Sequence, residues 1–280
     1  MPDVMTEFRY AHASLLHLPD IPMSPPPAST GKNRTVLVTG ASRGIGRAIA
    51  RRFAHLGAKV AVHYHTHAQD AADVVAGLPG SGHRYFAADL ADEPARRALV
   101  QAVTDAMGVP DVLVNNAGLY RLTPLVDSSE ATWLGDFRTL IEINLLAPAH
   151  LAFLVARAMI DRGQGGRIIN IGSRGAYRGE PDAPGYGSAK AGLHALTQSL
   201  AVALGPHQIS VSAVAPGWVE TDMAGPHLEG PRGPGIRSQS PLGRVARPDE
   251  VAAAVVYLAS SDAEYATGAV LDVNGASYLR

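Results

Sequence analysis

The sequence predicts a single doubly wound α/β domain of the Rossmann type with a seven-stranded parallel sheet, and two observations carry that prediction. Short runs rich in Val and Ile, bounded by glycine, alternate with amphipathic segments of helical length. The apolar runs do not alternate with polar residues as half-exposed antiparallel strands would, so the sheet they form is expected to be covered on both faces.

Residues 1–33 contain Pro2, Pro19, Pro22 and Pro25-Pro26-Pro27 without sustained periodicity, and are expected to be a flexible extension in which Met23 is an alternative start. The folded domain is expected over residues 34–280. Strands are predicted at 35–39, 59–64, 84–88, 111–115, 167–172, 209–215 and 269–273. Between them the spacing predicts helices at 43–56, 68–77, 93–107, 130–160 with an interruption at Pro148, 186–205 and 248–260. The first of these places Ile45, Ala48, Ile49, Phe53 and Leu56 on one stripe.

Composition excludes several classes. With 280 residues and 46% apolar side chains the chain can bury a substantial core. Its net charge of −1, with both signs intermixed, argues against nucleic-acid or membrane-surface partners and fits a small-molecule ligand. The absence of cysteine removes disulfides and thiolate chemistry. Asp3 and Glu7 break any secretory signal, and the greasiest stretch, residues 145–160, is interrupted by His150 and Arg157. A soluble cytoplasmic protein is expected.

Chemistry is concentrated at two places. Directly after the first strand stands Gly40-Ala41-Ser42-Arg43-Gly44-Ile45-Gly46, running into a helix. Three glycines permit a tight turn, a close approach of backbone amides to a pyrophosphate and close helix packing, and the helix N-terminus favours anions. The spacing, Gly-x-x-x-Gly-x-Gly, departs from the commoner Gly-x-Gly-x-x-Gly pattern. Further on, Tyr186 and Lys190 lie four apart and share a helix face. A phenol is a poor acid or base near neutrality unless a positive charge stabilises its phenolate, and Lys190 is placed to supply one.

These two motifs, with Asn115-Asn116-Ala117-Gly118, Ser173 and Pro216-Gly217, resemble the short-chain dehydrogenase/reductase family over residues 34–275. The resemblance implies an oxidoreductase that moves a hydride between a nicotinamide cofactor and an alcohol or carbonyl. It implies cofactor contacts from Gly40, Ser42, Arg43, Gly44, Ile45 and Gly46, and from Tyr64 and His65 after the second strand. Asp89 and Leu90 would meet the adenine, and Asn116, Ala117 and Gly118 the adenosine side. Pro216, Gly217, Val219 and Thr221 would border the nicotinamide. Tyr186 would be the general acid, Ser173 a second donor to the developing alkoxide, and Lys190 both a modulator of the Tyr186 pKa and a ribose ligand. Asn144 would hold a water that relays protons to Lys190.

Cofactor choice is read at the end of the second strand, where a carboxylate marks NAD. Tyr64-His65-Thr66-His67 stands there instead, and with Arg43 able to reach a 2′-phosphate the expected cofactor is NADP, with NAD the alternative. His63, His65 and His67 alternate as metal ligands on a strand could, but they lie where the ribose is expected, so no metal site is predicted.

Residues 220–241, rich in Gly-Pro pairs and poor in helical periodicity, are expected to be a substrate lid, either mobile or proline-braced. Leu119, Tyr120, Arg174, Tyr177, Trp218 and Met223 are the pocket candidates. The segments Pro241-Leu242-Gly243-Arg244 and Asp272-Val273-Asn274-Gly275 resemble the β-ketoacyl-acyl-carrier-protein reductase branch. Gln164 and His207 stand where that branch carries carrier-docking cations, and Ala276 where a glycine is usual. A ketone, aldehyde or keto-ester reductase therefore stands beside the 3-oxoacyl reductase reading. Two other readings remain open, an NAD-dependent alcohol or sugar dehydrogenase and a non-catalytic nucleotide sensor. The family resemblance further implies a homotetramer or homodimer.

Overall fold

The computed structural model describes residues 33–280, so the Pro-rich extension and Met23 lie outside the described residues except for Asn33. The strands are β1 (Thr35–Val38), β2 (Lys59–Tyr64), β3 (Arg84–Ala87), β4 (Val112–Asn115), β5 (Gly166–Ile171), β6 (Ile209–Pro216) and β7 (Val270–Val273). The helices are α1 (Gly44–His55), α2 (Ala68–Ala76), α3 (Glu93–Met107), α4 (Glu130–Ile141), α5 (Ala147–Arg162), α6 (Pro184–Leu204), α7 (Gly225–Glu229), α8 (Gly233–Arg237) and α9 (Pro248–Leu258).

All seven strands pair in parallel in the order β3-β2-β1-β4-β5-β6-β7. The chain winds outward from β1 to β3, then crosses back to β4 and winds the other way. That reversal opens a crevice at the carboxyl ends of β1 and β4, where open α/β sheets bind ligands.

The uninterrupted apolar runs bury both faces of the central strands. Because successive side chains alternate, Val36 and Val38 face a core shared with Ile49 and Phe53 of α1 and Val251 and Val255 of α9. Leu37, between them, joins the opposite core with Leu113, Leu151, Val155 and Met159. All eight residues of β6 are buried, whereas the edge strands β3 and β7 are largely open.

The helix expected over residues 130–160 is interrupted earlier than Pro148, by one π-helical turn at Glu142–Leu146. Pro148 has no N–H, so it cannot donate to the Asn144 carbonyl four residues back, and the wider turn accommodates the loss. The run Glu130–Arg162 is, by composition, long and apolar enough to cross a membrane, unlike the shorter stretch read from the sequence. Here Leu151, Ala152, Val155, Ala156 and Met159 bury that apolar face against the sheet. Helix α6 begins at Pro184 rather than Tyr186, because a proline pre-sets φ for a first turn.

The lid segment departs most from expectation. It is not an unstructured Gly-Pro loop: it contains α7 and α8, each with a proline in its first turn. Ala224, Leu228, Ile236 and Val245 bury one another, with Trp218 packed against them, as a small apolar cluster separate from both sheet cores.

Candidate active site

A cavity of about 620 Å³ runs along the crevice from the glycine turn to the N-terminal part of α6. Every cofactor and catalytic candidate read from the sequence borders it.

At one end the turn is built on glycine geometry. Gly40 and Gly44 have φ of 62° and 55°, which side chains disfavour. A Cβ on Gly46 would stand 2.3 Å from the Gly40 carbonyl and 2.6 Å from Asn116 Nδ2. The Thr39 hydroxyl accepts from the amides of Asn116 and Ala117 at 2.9 and 3.0 Å, and Asn116 Nδ2 donates to the Thr39 and Gly40 carbonyls. The Asn-Asn-Ala-Gly segment therefore locks the turn to β4.

His63 was expected in a histidine run near the ribose; its ring is instead a staple. Nδ1 accepts from the Gly40 amide at 3.0 Å, and Nε2 contacts the Ala88 carbonyl at 3.1 Å. This pairing selects the neutral tautomer with the proton on Nε2, and burial pushes its pKa down to about 4. Nothing in a single sequence signals such a role, because it depends on three segments meeting. Among the described residues no cluster of three or more His, Asp or Glu side chains is placed to hold a metal.

Around the expected ribose position, Tyr64 is partly buried and His65 is exposed, with Nε2 3.7 Å from Asp89. The other Asp89 oxygen accepts from the Ala91 amide at 2.9 Å, which is the loop-bracing bond such a residue makes on its own account. Arg43 is exposed and faces Asp222 at 3.9 Å. Thr221 lies over the glycine turn, where a Cβ on Gly44 would meet its methyl at 3.2 Å.

At the other end stand the four catalytic candidates. Asn144 is fully buried in the π-helical turn, where its Nδ2 donates to the Leu119 and Leu140 carbonyls and its Oδ1 accepts from the Leu119 amide. Its side chain is thus committed to the backbone. Its main-chain carbonyl has no α-helical donor, because Pro148 four residues on lacks an N–H. Gly118 brings the groups together: a Cβ there would lie 3.0 Å from Asn144 Oδ1 and 3.7 Å from Lys190 Nζ.

Lys190 is 4% exposed, donates to the Ile171 carbonyl at 2.8 Å, and is pushed down to about 8 by burial. Its Nζ is 5.7 Å from the centre of the Tyr186 ring. Burial raises the Tyr186 pKa, opposed by a hydrogen bond from Ser173 and reinforced by the Glu180 charge. The lowering by Lys190 expected from the sequence is therefore not what governs this phenol without a bound ligand. Ser173 caps a short turn, its hydroxyl accepting from the Gly175 amide at 3.0 Å.

Of the pocket candidates, Leu119, Tyr120, Arg174, Trp218 and Met223 border the cavity, joined by Glu180, which the sequence reading missed. Tyr120 packs edge-on against Tyr186, Trp218 and His227. Tyr177 turns away, its ring tilted against buried His194, 5.0 Å between centroids, and lying beneath Arg280. His194 was also missed; its Nε2 accepts from the Ser173 amide at 3.4 Å, and burial pushes its pKa down to about 4. Its position four residues after Lys190, on the same face of α6, was the available signal.

Comparison with known proteins decides the family. A family model described as enoyl-(acyl carrier protein) reductase matches residues 40–276. The 3-oxoacyl-(acyl-carrier-protein) reductase FabG of Vibrio cholerae is 38% identical over 250 residues, 89% of this chain and 98% of the relative. The chain belongs to the short-chain dehydrogenase/reductase family. Within that family it is equally similar, at 38% identity over 254 residues, to the L-rhamnose 1-dehydrogenase (NAD(P)(+)) of Azotobacter vinelandii, covering 88% of this chain and 97% of the relative. A short-chain dehydrogenase/reductase fold is also shared with a dehydrogenase/reductase from Sinorhizobium meliloti, at a TM-score of 0.80 and 34% identity over 90% of this chain and 98% of that one. The protein is thus a family oxidoreductase that interconverts alcohol and carbonyl groups, using a nicotinamide nucleotide.

Proposed function

We propose that the protein is an NADP-dependent carbonyl reductase in which Tyr186 is the general acid. The observation that carries this reading is the convergence of Ser173, Tyr186, Lys190 and the Asn144 turn at one end of a cavity whose other end is the glycine turn.

Glycine lets the turn and the strand end pack tightly, since a Cβ on Gly40 would come within 2.9 Å of the Ala117 backbone and one on Gly217 within 3.1 Å of Asn274, and the helix N-terminus that follows the turn favours an anion. Residues 40–46 would hold the pyrophosphate, and Asp89, Leu90 and Asn116–Gly118 the adenosine. Pro216, Gly217, Val219 and Thr221 would face the nicotinamide. When bound, NADP(H) supplies the hydride. Tyr186 then delivers its proton to the carbonyl oxygen, while Ser173 donates a second hydrogen bond to the same oxygen as negative charge grows there. Buried Lys190, positively charged below about pH 8, electrostatically favours the phenolate left behind. The absence of a carboxylate at Tyr64, together with Arg43 and His65, supports NADP over NAD.

A homotetramer or homodimer is part of the reading, supported by Phe153 on α5 and Val202 on α6, both well exposed. Oxidation of a sugar or other alcohol with NAD or NADP is the second reading, favoured by the equal similarity to the rhamnose dehydrogenase.

The test is Tyr186→Phe, assayed by NADPH consumption over a panel of ketones, keto-esters and acyl thioesters. Turnover is expected to fall by roughly a hundredfold or more while NADPH binding persists. Full turnover in the folded variant removes Tyr186 from the chemistry.

A further inference from the structure

Next to Ser173 the cavity wall holds a buried cation that no carboxylate among the described residues meets in a hydrogen bond or ion pair. Arg174 is 5% exposed; its Nη2 donates to Gln239 Oε1 at 2.5 Å, and its Nη1 is buried with no hydrogen-bond partner. Arg178 donates to the same Gln239 oxygen at 3.0 Å. One uncharged amide oxygen thus serves two guanidinium groups, although a guanidinium is built to meet a carboxylate with two donors at once.

The neighbouring charges leave that surplus in place. Arg232 is taken by Asp182, 3.4 Å away. Among the described residues the charge of Glu180 reaches Arg174 and Arg178, yet its carboxylate forms no hydrogen bond or ion pair with either guanidinium. A buried charged donor without an acceptor is unfavourable unless a ligand completes it. Arg174 borders both the main cavity, beside Ser173 and Tyr186, and a smaller one of about 210 Å³ formed with Trp218, Ile236 and Ser240. Tyr120, Trp218 and His227 offer an apolar wall nearby.

We propose that Arg174 binds a carboxylate on the substrate, so that the compound reduced is an oxo acid. Arg174 and Ser173 border the same cavity, so one substrate can reach both, and a series of oxo acids reads the spacing between its two groups. This assignment rests on the carbonyl-reductase reading and narrows it.

The experiment compares kcat/KM for a set of 2-oxo and 4-oxo carboxylic acids with kcat/KM for their methyl esters, using NADPH and the full-length protein. The wild type is expected to favour at least one acid over its ester by tenfold or more, the scale of a hydrogen bond to a charged group. Arg174→Met is expected to bring that ratio to near one, and Arg174→Lys to retain part of it as a point charge. An acid-to-ester ratio near one in the wild type, with both reduced, overturns the inference and leaves the carbonyl-reductase reading standing; this comparison needs no variant to fold. A preference that survives in folded Arg174→Met removes Arg174 as its source. Reduction of neither acids nor esters, nor of any other carbonyl, overturns both readings together.

Discussion

Replacing Lys190 with methionine changes how stability depends on pH, which isolates the cost of burying its charge. Lys190 is pushed down by burial from 10.5 to about 8 in the folded protein, while the unfolded chain keeps the ordinary value. Between those two values the unfolded state binds a proton that the folded state gives up. The wild type therefore gains stability as pH rises from 8 toward 10.5, and carries the full penalty below 8. Each unit of displacement corresponds to about 1.4 kcal/mol, so from pH 8 to 9.5 the gain is about 2 kcal/mol. Methionine fills similar space without a charge, so Lys190→Met has no such slope. The loss of the hydrogen bond to the Ile171 carbonyl adds only a constant offset. Urea denaturation of both proteins without nucleotide, at intervals from pH 7 to 9.5, measures the difference, tyrosine ionisation being common to the two. The wild type is expected to draw ahead with pH by about 2 kcal/mol relative to the variant. Parallel stability curves would refute the claim that Lys190 is desolvated.

Other predictions follow from the same geometry. Asn144→Ala removes an amide that satisfies three backbone groups, and is expected to cost about 2–4 kcal/mol in thermal or urea unfolding, with loss of turnover. Gly46→Ala places a methyl 2.3 Å from the Gly40 carbonyl, so soluble variant protein is expected to lose nucleotide binding in a fluorescence titration. His63 and His194, both pushed down to about 4 by burial, bind protons only on unfolding, so stability is expected to fall as pH drops from 6.5 to 4. His194→Leu removes part of that slope, as denaturation midpoints at pH 7 and 5 will read. Arg43→Met is expected to raise KM for NADPH severalfold while changing KM for NADH little.

The sheet and the residues that line the cavity were legible because both are written in local pattern. Strands such as Val36–Val38 and Val112–Val114 are continuous apolar runs, and the glycine turn and the Tyr186–Lys190 pair are spacings along one segment. What escaped the sequence depends on contacts between distant segments. His63 acts by reaching Gly40 and Ala88, and His194 by reaching Ser173. The π-helical turn was misplaced because Pro148 acts on the carbonyl four residues before it rather than at its own position. The lid helices were hidden by glycine and proline, although Pro226 and Pro234 sit where prolines open helices. Lys190 lies beside Tyr186, its Nζ 5.7 Å from the ring centre, but sequence spacing could not show that burial is the largest influence on the phenol's pKa.

The separate apolar cluster of Ala224, Leu228, Ile236 and Val245 makes the segment that carries α7 and α8 a cassette. Its internal contacts hold it together without borrowing from either sheet core, and its two ends rejoin the domain beside Val219 and Ala246, which form a bridge. A foreign segment with its own miniature core could be spliced between those ends. Such a splice would have to keep Thr221, which lies over the glycine turn, and Gln239, which holds Arg174, so these two positions mark where the segment is tied to the rest of the scaffold.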